Sequence, residues 1–95
     1  MKLLWSAHAV RDLARLRSFV ALKDPKAARR VVARIRLVAG LLRKTPEMGR
    51  KVEGTDRREV LAPFGGGAYV LRYRVDADAV VIVRVWHSRE ERGAP

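Results

Sequence analysis

The sequence predicts a single α+β domain of order β-α-α-β-β-β, with a helical hairpin packed on one face of a small antiparallel sheet. Two observations carry this. Between Pro25 and Lys44, the residues Ala28, Val31, Val32, Ile35, Val38, Ala39 and Leu42 fall within one arc of a helical wheel. From Arg57 to His87, three β-rich runs are separated by two turn signals, Gly65-Gly66-Gly67 and Asp76-Ala77-Asp78. The chain has 95 residues, the length of one domain spanning 1–95. A hydrophobic fraction of 48% supports a core and argues against global disorder.

Taken in order, Lys2 to Trp5 reads as a short first strand. Ser6 is an N-cap, and a helix follows from Ala7 to Leu22 with Ala9, Leu13, Leu16 and Val20 on one stripe. Lys23-Asp24-Pro25 breaks it, Asp24 caps the second helix and Pro25 suits its first position. Pro46 ends that helix, and Lys51 to Asp56 reads as a polar connection. The three-stranded meander follows, and residues 88–95 read as a short charged, mobile tail. Leu37 and Leu41 lie one turn apart on the side of the second helix away from its core arc. They are either scattered surface leucines or a docking patch for a partner.

Alternation with period two sorts the strands into faces. Tyr69, Leu71, Tyr73 and Val75 share one face of the second meander strand, and Val70, Arg72 and Arg74 the other. On the last strand Val81, Val83 and Val85 oppose Val80, Ile82, Arg84 and Trp86. Packing the apolar faces on the helices buries Val31, Ile35, Val38, Tyr73, Val81 and Val83. It leaves Arg72, Arg74 and Arg84 on an open face, which Arg58 joins if register allows.

The net charge is +11, from 21 Lys+Arg against 10 Asp+Glu. It reads either as solubility or as the mark of an anionic partner. There is no cysteine, which excludes disulfides and thiolate metal sites, and the two histidines show no paired metal spacing. No cofactor and no metal are expected. No apolar run approaches a membrane span, so the expected place is the cytoplasm. Ser6, Ser18 and Ser88 form no nucleophile–base pair, and the glycine run lacks the lysine and helix of a phosphate loop. His8 starts a helix and reads as exposed. His87 ends the last strand near Arg84 and Arg89, where a histidine among arginines would suit general acid–base cleavage of RNA. Alternation, however, points it to the Val85 side, away from Arg84.

Several segments together resemble a known family. They are Leu4-Trp5-Ser6 before the first helix, Asp24-Pro25 followed by Ala27-Ala28, Pro46 with Gly49-Arg50, and Arg58-Glu59-Val60. The strand Tyr69 to Val75 and the ending Val83-Arg84-Val85-Trp86-His87 complete them. In order, spacing and chain length they resemble the RelE/ParE superfamily of toxins from bacterial type II toxin–antitoxin modules. The resemblance implies the βααβββ fold and an antitoxin whose N-terminal part binds operator DNA while its C-terminal part neutralises the toxin. The toxin would then touch operator DNA only through that partner. RelE-like members cleave mRNA in the ribosomal A site, whereas ParE-like members inhibit DNA gyrase and stabilise plasmids. The long hairpin and the Arg-Val-Trp-His ending look ParE-like, so gyrase is the expected target and the ribosome the alternative. A nuclease would draw on Arg58, Arg72, Arg84 and His87. A free-standing nucleic-acid binder is a third, weaker reading, because the tyrosines segregate to the core face. Arg72, Arg74 and Arg84 are expected to face the target or the antitoxin, and Leu37 and Leu41 to bind the antitoxin.

Overall fold

In a computed structural model that describes residues 1–90, the chain begins with strand β1, Lys2–Trp5, and continues into α1, Ala7–Ala21. Ser6 caps α1 as its position suggested, its hydroxyl accepting from the Ala9 amide at 3.0 Å. Asp24 does the same for α2, Pro25–Leu41, accepting from Ala27 at 3.0 Å, with Pro25 in the first turn. A short 3-10 turn, Pro46–Met48, leads to β2, Arg50–Lys51, and then to β3, Arg57–Phe64, β4, Gly67–Val75, and β5, Ala79–His87. Gly65 takes φ 61° in the tight turn between β3 and β4, a conformation that favours glycine.

The five strands form one sheet in the order β1-β5-β4-β3-β2. The meander is antiparallel, as the turn signals require. β1, however, pairs with β5 in parallel, Leu3 opposite Val80 and Trp5 opposite Ile82, so the sheet is mixed. The pairings alternate in direction from β2 to β5, so β1 runs with β3 and β5 and against β2 and β4. β2 also lies inside what reads as loop, pairing Arg50 with Glu59 and Lys51 with Arg58.

One face of the sheet is covered by the helical hairpin. Val31, Ile35 and Val38 of α2, Leu42 at its C-cap, and Ala9 and Leu16 of α1 pack on Tyr69, Leu71, Tyr73, Val80, Ile82 and Val85. Ile35 and Tyr73 are fully buried. On β5 the expected sorting of faces is reversed in its first half. An irregularity in pairing, where Arg72 opposes Arg84 but Tyr73 opposes Ile82, inserts Val83 as an extra residue. Val80 and Ile82 therefore join Val85 in the core, while Val81 is buried on the other face and Val83 is half-buried. Ser88 donates its amide to Ala68 at 2.8 Å and Glu90 its amide to His87 at 2.9 Å. The rest of the expected tail, 91–95, lies outside the described residues.

Candidate functional site

The face of the sheet opposite the helices carries the arginines. Arg72 and Arg74 lie there by alternation with Leu71 and Tyr73, and Arg57 lies directly opposite Arg74. Arg58 does not join them. It pairs with Tyr73 on the helix side, where its guanidinium donates to the Gly49 carbonyl at 2.8 Å and holds the 3-10 turn. The sequence held this signal. Val60, Ala62 and Phe64 are the apolar face of β3, and alternation puts Arg58 with them and Arg57 on the other side.

None of the three expected arginines is bare. Arg72 is bound by Glu59, its cross-strand neighbour, at 2.8 Å, and its guanidinium stacks 5.1 Å from the Trp86 ring centroid. Arg74 reaches the exposed Asp76 at 3.2 Å. Arg84 grips Asp12 of α1 through two hydrogen bonds, of 2.8 and 3.1 Å. Asp12 also accepts from the Val85 amide at 2.9 Å. Beyond Ile82, where β1 ends, the edge of β5 is taken over by α1, with the Ser6 hydroxyl donating to the Val83 carbonyl at 2.9 Å. Asp12 thus satisfies a backbone donor of β5 beyond the end of its pairing with β1. Burial acts to raise the Asp12 carboxyl, but hydrogen bonds from Arg84 and Val85 and the charges of Arg84 and Arg15 outweigh it and leave it lowered. Sequence reasoning missed Asp12. Its signal was an acidic residue placed between Ala9 and Leu16 on the buried stripe.

Together Ser6, His8, Thr55, Asp56, Arg57, Arg74, Val83 and Arg84 line a groove of about 720 Å³ on this side of the sheet. His8, read from the sequence as incidental, is therefore the histidine that stands with arginines. His87 stands apart from these arginines. It lies opposite Tyr69 on the helix side, its ring edge-on to Tyr69 at 5.0 Å. There it borders a largely apolar pocket of about 570 Å³ with Leu16, Phe19, Val20 and Arg89, closed by an Arg15–Glu90 ion pair at 2.6 Å, and its Nδ1 accepts from the Arg89 amide at 3.1 Å. The sheet separates it from Arg72 and Arg74. Leu37 and Leu41 are exposed on α2, at 61% and 51%, clear of the core as their wheel position requires.

Among the described residues, no cluster of histidine and acidic side chains is gathered that would hold a metal ion, and no helix is long and apolar enough to cross a membrane.

Residues 3–92 match the family described as ParE toxin of type II toxin-antitoxin system, parDE. Toxin RelE1 of Caulobacter vibrioides is 39% identical over 89 residues, covering 94% of this chain and 95% of its own. Toxin RelE3 of the same organism is 42% identical over 84 residues, covering 88% and 90%. The solved chromosomal ParDE toxin–antitoxin system from P. aeruginosa superimposes with a TM-score of 0.77 at 23% identity, over 92% of this chain and 95% of that one. That likeness concerns the fold. With a family match over nearly its whole length and relatives of this similarity, the chain belongs to the RelE/ParE superfamily as a ParE-family toxin of a type II toxin–antitoxin system.

Proposed function

We propose that this toxin arrests growth by binding DNA gyrase and is neutralised by a cognate antitoxin. The observation that carries the gyrase reading is the separation of His87 from Arg72, Arg74 and Arg84. A ribonuclease using His87 needs that ring within reach of the phosphate its arginines hold. Here His87 packs on Tyr69 on the helix side, while Arg72 and Arg84 are each held by a buried or half-buried carboxylate. A face of that kind, part apolar and part ion-paired, suits contact with another protein better than bond cleavage.

The antitoxin reading draws on charge and on exposed apolar surface. A domain of net charge +11 favours an acidic, flexible segment that orders on binding. Leu37 and Leu41 offer that segment an apolar contact on α2, and operator DNA is reached only through the antitoxin.

A ribosome-dependent mRNA endonuclease is the second reading, favoured by the placement of His8 in the groove of Arg57, Arg74 and Arg84. In that case His8, not His87, is the acid or base. Expressing the chain from a tight promoter separates the two. Gyrase inhibition produces a DNA-damage response with intact translated mRNA. Cleaved mRNA, lost in His8→Ala and kept in His87→Ala, replaces it with the second reading.

A further inference from the structure

The arrangement of arginines across the sheet has an energetic oddity. Two successive cross-strand pairs on one face are like-charged, Arg57 opposite Arg74 and Arg72 opposite Arg84. Like charges directly opposite one another destabilise a sheet. The inner pair is compensated inside the fold. Arg72 is held by Glu59, whose side chain is 14% exposed, and Arg84 by Asp12, at 6%. The outer pair is not compensated in that way. Arg57 meets Asp56 and Arg74 meets Asp76, both close in sequence and both at exposed surface positions, at 76% and 47% exposure. Exposed pairs of this kind are weak and exchange readily for a better anion.

From this we infer that the groove bounded by Arg57 and Arg74 binds the phosphodiester backbone of a nucleic acid. The lining decides between this and an acidic peptide. Ser6, His8, Thr55, Arg57, Arg74 and Arg84 supply hydroxyl, imidazole and guanidinium groups, which are the usual partners of phosphate oxygens. The lining also holds one carboxylate, Asp56, the exposed partner of Arg57 that a phosphate would replace. Val83 is the one apolar side chain among the described residues of this lining. A peptide interface draws its affinity from apolar and aromatic anchors seated in pockets, and Val83 is the one apolar residue this groove offers them. Interfaces with nucleic acid are more polar and more cationic, as this lining is. Arg84, fixed by Asp12, forms the rigid wall, and Arg57 and Arg74 are the groups free to turn from aspartate to phosphate.

The inference stands apart from the identity of the target. If the target is gyrase, the phosphate belongs to the DNA that gyrase holds; if it is the ribosome, to RNA. The test therefore uses neither machine. Full-length toxin is titrated into fluorescein-labelled duplex DNA and into RNA of the same sequence and length, across a salt series. Arg57→Gln with Arg74→Gln is compared with Arg29→Gln with Arg30→Gln, which removes the same charge from α2 on the other side of the sheet. The groove pair should lower affinity by about 10-fold and flatten the slope of log affinity against log salt by about 2, one unit per lost phosphate contact. The α2 pair should leave the slope nearly unchanged, and Arg57→Lys with Arg74→Lys should restore most of it. Because the substitution removes a like-charged cross-strand pair, the melting temperature of the groove variant should hold or rise, which separates lost binding from lost fold. The ratio of DNA to RNA affinity then identifies which nucleic acid supplies the phosphate. Equal losses in the two double variants would reduce the binding to net charge and overturn the proposal. So would displacement of the oligonucleotide by a glutamate oligomer at equal charge concentration, which would make the groove a peptide site.

Discussion

Asp12 ties α1 to the edge of β5 through three hydrogen bonds, two from Arg84 and one from the Val85 amide. Removing one partner of a buried, hydrogen-bonded pair leaves the other without compensation. Asp12→Ala should therefore destabilise the domain by about 3 kcal/mol in urea titrations at neutral pH. The pH dependence has a defined sign. The folded-state carboxyl is lowered relative to the unfolded chain, so its contribution is complete above the ordinary carboxylate range and is lost as pH falls through the folded value. The stability gap between the natural chain and Asp12→Asn should be widest at neutral pH and close below about pH 4. A gap independent of pH would remove the ionised carboxylate from this account. At this scale the sequence was partly legible. Ser6, Asp24, Arg72, Arg74, Leu37 and Leu41 occupy the places their patterns indicate. Arg57 takes the place on the open face that Arg58 was expected to join, because the apolar alternation of Val60, Ala62 and Phe64 carries Arg58 to the helix side.

The elements themselves were read well where a periodic pattern spans many residues. Both helices and the meander fall within a few residues of their expected bounds, and Ile35 is fully buried at the centre of the arc that predicted it. Three features escaped for physical reasons. The insertion at Val83 shifts the face of half a strand without changing its composition, so strict alternation fails there. β2 is two residues long, too short for any period. The parallel partnership of β1 is a property of chain path, which no local pattern encodes. The link from α2 to β2 is fixed by Tyr73, whose hydroxyl donates to the Pro46 carbonyl at 2.7 Å and accepts from the Gly49 amide at 2.8 Å. Gly49 is required there, since a Cβ would stand 2.6 Å from that hydroxyl and 2.8 Å from the Glu59 carbonyl. Tyr73→Phe should cost about 1–3 kcal/mol by leaving a buried amide unpaired, measured by denaturant midpoint. Ile35→Ala should cost about 2–5 kcal/mol through lost burial and a cavity. Equal tolerance of both substitutions would mean that the sheet–helix core is not the seat of stability.

For the molecule as a whole, the sheet divides two kinds of surface. The helix side presents Leu37 and Leu41, and the opposite side presents the arginines and the groove. If the antitoxin docks on α2, Leu37→Glu with Leu41→Glu should weaken the complex by at least about 10-fold in calorimetry, as expected when central apolar contacts are lost. The melting temperature of the toxin alone should stay unchanged, since both side chains are exposed. Unchanged affinity would place the antitoxin elsewhere. The central claim is that this fold acts by holding a protein target, because its strand-end histidine lies on the opposite side of the sheet from Arg72, Arg74 and Arg84. Supercoiling of relaxed plasmid by purified gyrase tests it most directly. The account predicts that the toxin blocks supercoiling in a concentration-dependent way, that pre-mixed antitoxin relieves the block, and that His87→Ala inhibits as well as the natural chain. Full supercoiling activity at saturating toxin, with translated mRNA cut in a parallel reaction, would contradict it.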